Sequence, residues 1–161
     1  MIRDLHTLKE SFKGRTKALE DTLSKRRWGP KSLLKLEEDI ILAAYELQKL
    51  LEEDVLPNAY GRTRFPMTSY AHKSTLEEGS HWRDFKLHYA MGEPAADDHP
   101  PLFICHQIIH NAVWAFDITK AREIAGLYVT STHQRKNALY RVDTDALMTL
   151  FRSASDSLAS Y

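Results

Sequence analysis

Apolar residues recur at Leu33, Leu36, Ile40, Ala43, Leu47 and Leu50 in steps of three and four, and Leu34, Ile41, Ala44 and Leu51 widen that seam. A period near 3.6 predicts an amphipathic helix. It spans about residues 32–56, opened by Ser32 as N-cap after the Gly29-Pro30 break and stopped by Pro57. Glu37, Glu38, Asp39, Glu46, Lys49, Glu52 and Glu53 occupy much of the remaining surface. A seam this wide suits the spine of a helical domain, and its heptad-like spacing also suits a dimerising partner helix.

Upstream, Leu5, Leu8, Phe12, Leu19 and Leu23 trace a weaker helix across residues 4–26, with Gly14 a soft spot. Downstream the pattern is lost. The stretch NAYGRTRFPMTSYAHKST, residues 58–75, reads as a long ordered loop. In 82–91, Phe85, Leu87, Tyr89 and Met91 alternate with Asp84, Lys86, His88 and Ala90, which favours a strand, although Trp82, Phe85 and Tyr89 also fit one side of a helix.

GEPAADDHPP reads as a loop delivering Pro100 and Pro101 to the first turn of a buried helix over about 101–116. GLYVTST and ALYRVD, joined by HQRKN, predict a small antiparallel hairpin over about 126–142. Asp143 or Thr144 caps a C-terminal helix carrying Leu147, Leu150 and Phe151, and the tail 153–161 frays. The expected fold is therefore α+β, mainly α: one helical domain over 1–161, with residues 1–30 a basic N-terminal helical arm.

Charge sharpens that picture. The 161 residues carry no formal net charge, yet residues 1–35 hold ten Lys/Arg against four Asp/Glu, a local +6 that leaves −6 elsewhere. Such an excess, Arg26 and Arg27 included, offers phosphates or an acidic partner a binding face over about 13–35; a solvated helix face is the plainer reading. Cys105 is the single cysteine, so no internal disulfide forms and a reducing, cytoplasmic setting is expected. The first residues lack the apolar core of a secretory signal, and no run is long and apolar enough for a membrane span.

Candidate chemistry concentrates in CHQIIH, residues 105–110. On the expected helix, Leu102, Cys105, Ile109, Ala112, Val113 and Phe116 share a core face. His106 and His110, four apart, stand together beside it, flanked by Gln107 and Trp114, with Asp117 a turn beyond. Two histidines are half a zinc site. Gln107 stands where the zinc-protease motif needs its glutamate, and nothing in the spacing selects a third ligand among Asp97, Asp98, His99, His81 and His88. No metal and no cofactor are therefore assigned. A buried Cys105 is inert, and no Gly-rich phosphate loop is present.

CHQIIH resembles the signatures of two families. One comprises uncharacterised small bacterial and phage proteins, in which an apolar helix bearing C-N-x-I-I-H precedes a hairpin and a C-terminal segment. From Cys105 to about Phe151 this chain is similar, with His106 replacing the asparagine. No function comes with that likeness. The other is the HEPN superfamily of α-helical domains, many of them toxin or defence ribonucleases, with the motif R-N-x-x-x-H. Here Cys105 falls at the arginine, His106 at the asparagine and His110 at the histidine. Cysteine cannot stabilise a scissile phosphate as arginine would. This resemblance thus implies a non-catalytic member used for binding, or one with substituted chemistry.

Three readings follow. The first is a non-enzymatic interaction module, in mobile-element or anti-phage biology, engaging a protein partner, a second copy or nucleic acid. The second is a ribonuclease or hydrolase using His106 and His110 as general acid and base, with Arg122, Arg135 or Lys136 stabilising an anion. The third is a metal-binding protein built on the histidine pair. Gln107, Trp114, Asp117, Arg26 and Arg27 are the expected binding residues.

Overall fold

The computed structural model describes residues 4–24, 28–73 and 82–158, with backbone alone at 82 and 83. Five strands form one antiparallel sheet: β1 (Phe65–Ala71), β2 (Ala95–His99), β3 (Asn111–Ile118), β4 (Ile124–Ser131) and β5 (Ala138–Asp143), in spatial order β2-β1-β5-β4-β3. The helices are α1 (Leu5–Leu23), α2 (Pro30–Glu52), α3 (Asn58–Arg62), α4 (Pro101–Ile109) and α5 (Thr144–Leu158). Helices still hold the larger share of residues, but the expected helical domain with a small hairpin is corrected to helices stacked on a five-stranded sheet.

The layers follow from which residues avoid water. Phe65, Met67, Leu127, Val129, Tyr140 and Val142 project from one sheet face into the main core. There they meet α4 and α5, which pack directly on the strands, while α1 and α2 pack on those two helices. The opposite face carries Tyr70, Val113, Tyr128 and Leu139. It is covered in part by a 3-10 segment, Trp82–His88, with the Phe85 and Tyr89 side chains packed against it.

Several local expectations change. The expected loops contain a short helix, α3, over 58–62 and strands over 65–71 and 95–99. Pro66 argues against a strand in sequence, but β5 pairs with β1 only from Thr68 on, so the proline has one neighbour and no second ladder to interrupt. The sequence AADDH has little intrinsic strand preference, and its pairing with β1 supplies the conformation. Residues 82–88, read as strand from their alternation, form 3-10 turns kinked at Asp84, and only Tyr89 makes a bridge, to His72. Tyr89 is fully buried and its hydroxyl donates to the Arg135 carbonyl at 2.6 Å. Burial pushes its pKa up to about 12.

The long helix both begins and ends earlier than expected: it stops at Glu52, before a turn at Glu53 and Asp54, and not at Pro57. Gly29 is its N-cap and Pro30 its first residue, and Ser32, three positions in, accepts from the Gly29 N–H at 2.8 Å. Its seam is spent inside the molecule: Leu36, Ile40, Ala43, Ala44, Leu47 and Leu50 are buried. The N-terminal helix, expected as an arm, buries Leu8, Phe12, Thr16 and Leu19. Arg15 on α1 bonds Glu46 on α2 and lies 3.7 Å from Asp39, so part of the basic excess is consumed in holding two helices together. At the other end α5 continues past Ser153, with Ala154 and Leu158 buried, where fraying was expected. Among the described residues no helix is long and apolar enough to cross a membrane.

Phe12 has no solvent exposure and meets Phe151 edge-to-face at 6.3 Å, joining the first helix to the last. Phe12→Ala is expected to cost about 3–5 kcal/mol of stability, measured by urea unfolding. A loss below about 1 kcal/mol would mean that α1 contributes little to this core.

Candidate functional site

The CHQIIH residues lie on α4, and the structure divides them sharply. Ile104, Cys105 and Ile108 have no solvent exposure. Burial drives the Cys105 thiol far above its usual pKa, so no thiolate is available there. Gln107 is also buried, and its Oε1 accepts the Ser131 backbone N–H at 2.8 Å. One step on, the His110 carbonyl accepts the Thr132 N–H at 3.1 Å. These two bonds fasten the end of α4 to the start of the β4–β5 loop.

The helix stops at Ile109, so the expected helix over 101–116 is corrected. Asn111 donates from Nδ2 to the Ile108 carbonyl at 2.9 Å, satisfying a helix-end acceptor, and the chain turns directly into β3. A short apolar run does not distinguish buried helix from buried strand. In Asn111–Ile118 the β-branched and aromatic residues, and a partner strand that pairs every residue but Ala112, decide for strand.

Where α4, β3 and the β4–β5 loop meet, an open cleft of about 830 Å³ forms. His106 and His110 are exposed on one wall, their ring centroids 6.1 Å apart and tilted by 59°. Asn111, Ser131, Thr132, His133 and Gln134 add hydrogen-bonding groups, and Phe103 and Ile109 an apolar edge. None of the lining residues is Lys, Arg, Asp or Glu. The sequence pointed to His106, His110 and Gln107 but missed the loop residues. Their only signal was polarity in STHQRKN, which reads as an ordinary hairpin connection.

The other expected site residues lie elsewhere. Trp114 is on the helix-side face of β3, edge-to-face with Phe116 at 5.7 Å, outside the cleft. Asp117 belongs to the opposite face, where its carboxylate accepts from the Arg141 guanidinium at 2.9 and 3.1 Å. Arg141 crosses β4 at Gly126, where an added Cβ would come within 2.8 Å of the guanidinium and 2.9 Å of the Val142 carbonyl. Burial disfavours its charge, but bonds to Asp143 and Asp117 outweigh that and raise its pKa. Asp117 is thus a cross-strand tie. Arg26 and Arg27 lie outside the described residues.

The possible third metal ligands are also occupied or distant. Asp97 and His99 pair at 2.8 Å on β2, and His99 stacks on Phe103 at 3.7 Å. Asp98 pairs with Arg64 at 2.6 Å, His88 is buried and His81 lies outside the described residues. Among the described residues no cluster of three His, Cys, Asp or Glu could hold a metal ion. Arg122 sits in the β3–β4 turn, at the opposite end of those strands from the cleft, whereas Arg135 and Lys136 share the loop that lines it.

The geometry therefore defines a sheet-and-helix protein with a histidine-bearing cleft at a helix end. No family model, curated protein or solved structure matches the chain.

Gln107→Ala leaves the Ser131 N–H buried without its acceptor and is expected to cost about 1–3 kcal/mol. Urea unfolding and faster hydrogen exchange at Ser131 would show it; unchanged values for both would remove Gln107 from this role. Cys105 is expected to resist an aromatic disulfide reagent in the native protein and to react once per chain after unfolding. Rapid native labelling would contradict its burial.

Proposed function

We propose that the chain is a non-enzymatic binding module and that the cleft at the end of α4 binds single-stranded nucleic acid. The observation carrying this reading is the pair of exposed imidazoles, 6.1 Å apart, within a lining of uncharged hydrogen-bonding groups. Exposed rings give unstacked bases a platform, and amide and hydroxyl groups can address base edges. Arg135 and Lys136 bring positive charge to the same loop for the backbone. The basic segment 13–35 supports this less, because Lys13, Arg15 and Lys35 already face carboxylates within the chain.

The same ring spacing favours a second reading, in which His106 and His110 act as acid and base on a phosphodiester held between them. Against it, neither ring has a carboxylate hydrogen-bonded to orient it among the described residues, and Cys105 offers no charge to a phosphate.

One experiment separates these readings. A short fluorescent single-stranded RNA is titrated at low ionic strength with the native chain, His106→Ala and His110→Ala, and the RNA is then run on a gel. Binding of intact RNA is expected, weakened in each variant by about 1–3 kcal/mol and steeply by added salt. Cleavage abolished by His110→Ala would replace the binding reading with the nuclease one. No binding by the native chain, or equal binding by all three, would overturn the assignment.

A further inference from the structure

The face of α2 opposite the core carries apolar side chains in water. Leu34 and Leu42 are 56% and 45% exposed, and Tyr45 is half-buried beside them. At 100° per residue, Lys35, Glu38, Tyr45, Lys49 and Glu52 all lie within about 80° of Leu42. The core residues Leu36, Ile40, Ala43, Leu47 and Leu50 lie about 80° to 160° round from Leu42, away from Glu38, Tyr45, Lys49 and Glu52. A stripe of this kind runs the length of a 23-residue helix.

The order of charges along it is the informative feature. Along α2, Lys35, Glu38, Leu42, Tyr45, Lys49 and Glu52 form a series symmetric about one line of the helix surface, flanked by Lys31, Leu34, Asp39 and Glu46. Turned end for end about its midpoint, between residues 43 and 44, the same series meets itself with every charge opposite its complement. Lys35 falls against Glu52 of the second copy, Glu38 against its Lys49, and Leu42 against its Tyr45. A parallel pairing would instead set each charge against its like. Self-complementarity under a two-fold rotation is what an isologous dimer requires.

We propose that this face is a docking surface for a second copy of the chain, joined through antiparallel packing of α2 on α2. Leu42 and Tyr45 also border a groove shared with Thr7, Leu8 and Ser11 of α1, so the second copy meets the edge of α1 as well as α2. Lys35 reaches the partly buried Asp39 and Lys49 reaches Glu52, each at 3.3 Å within one helix turn, and Lys49 also lies 5.5 Å from the Tyr45 ring. At exposed lysines such contacts are worth little. Exchanging them for contacts across the two-fold adds burial of Leu42 and Tyr45, which supplies the apolar centre. Two helices alone bury a modest area, so the dimer is weak, reversible and sensitive to salt. The seam that suggested dimerisation in the sequence is the buried one, and the structure transfers that role to the opposite face.

Sedimentation equilibrium at low ionic strength tests this with a charge-reversal cycle. The native chain is expected to show a monomer–dimer equilibrium. Lys35→Glu and Glu52→Lys each place like charges opposite one another twice across the two-fold and should weaken it by about tenfold or more. The double variant restores opposite signs and should recover most of the affinity, and Leu42→Asp should abolish association. Circular dichroism checks that each variant is folded, as expected for surface positions. A native chain that stays monomeric at high concentration would overturn the proposal. So would a dimer indifferent to the single changes and Leu42→Asp, or a double variant no better than the singles. His110 lines the cleft and touches no residue of this stripe, so His110→Ala should associate as the native chain does, and failure of the cleft assignment is separable from failure here.

Discussion

A helix of nine residues is too short to persist by itself in water; α4 exists because Ile104, Cys105 and Ile108 are wholly excluded from solvent between α2 and the sheet. Burying each large apolar side chain there contributes about 1.5–3 kcal/mol. The same placement decides much else. It gives the second helical layer something to pack on, and it brings Gln107 within 2.8 Å of the Ser131 N–H. From that bond follows the position of the β4–β5 loop, and from the loop follows the cleft. The histidines do not build the site. They are carried to it by their buried neighbours on the same helix.

The sheet solves its own constraints with side chains that looked functional in sequence. Arg141 ties β5 to β3 across β4 through Asp117, which works because Gly126 has no side chain in the way. Both edges of the sheet are also guarded. On β2, Asp97 and Asp98 sit between Pro94 and the Pro100-Pro101 pair, and β3 carries register shifts near both ends. Charge, proline and bulges at edges discourage open-ended strand pairing. The proposed self-association uses a helix face and not a sheet edge.

Helical periodicity was legible wherever a helix is wide-seamed or long. The buried α2 seam and the α5 face of Leu147, Leu150 and Phe151 stand where their patterns put them, whereas α2 spans Pro30–Glu52, not 32–56, and the β4–β5 pair belongs to a larger sheet. The strands that the sequence does not reveal share one cause. β1, β2 and β3 owe their conformation to neighbours distant in sequence: Thr68 opposite Arg141, Met67 opposite Asp97, Val113 opposite Thr130. A window of local sequence holds no record of such partners, so Pro66 and AADDH read as loop and Asn111–Ile118 reads as more helix. The alternation in 82–91 misled for the opposite reason: Phe85 and Tyr89 share a buried cluster through 3-10 turns, and strand periodicity was a coincidence of composition.

The candidate site divides along the same line. Sequence alone determined that His106 and His110 are adjacent, since four residues on a helix place side chains one above the other, and that Cys105 is core, because it sits in the most apolar run. Only the tertiary structure decided that Gln107 is a staple, that Asp117 and Trp114 belong to the two faces of a sheet, and that His133 shares a cleft with His106 and His110 from some 25 residues away. Spacing within one element is fixed by the geometry of the helix. Convergence between elements is fixed by which surfaces exclude water together, and that is a property of the whole chain.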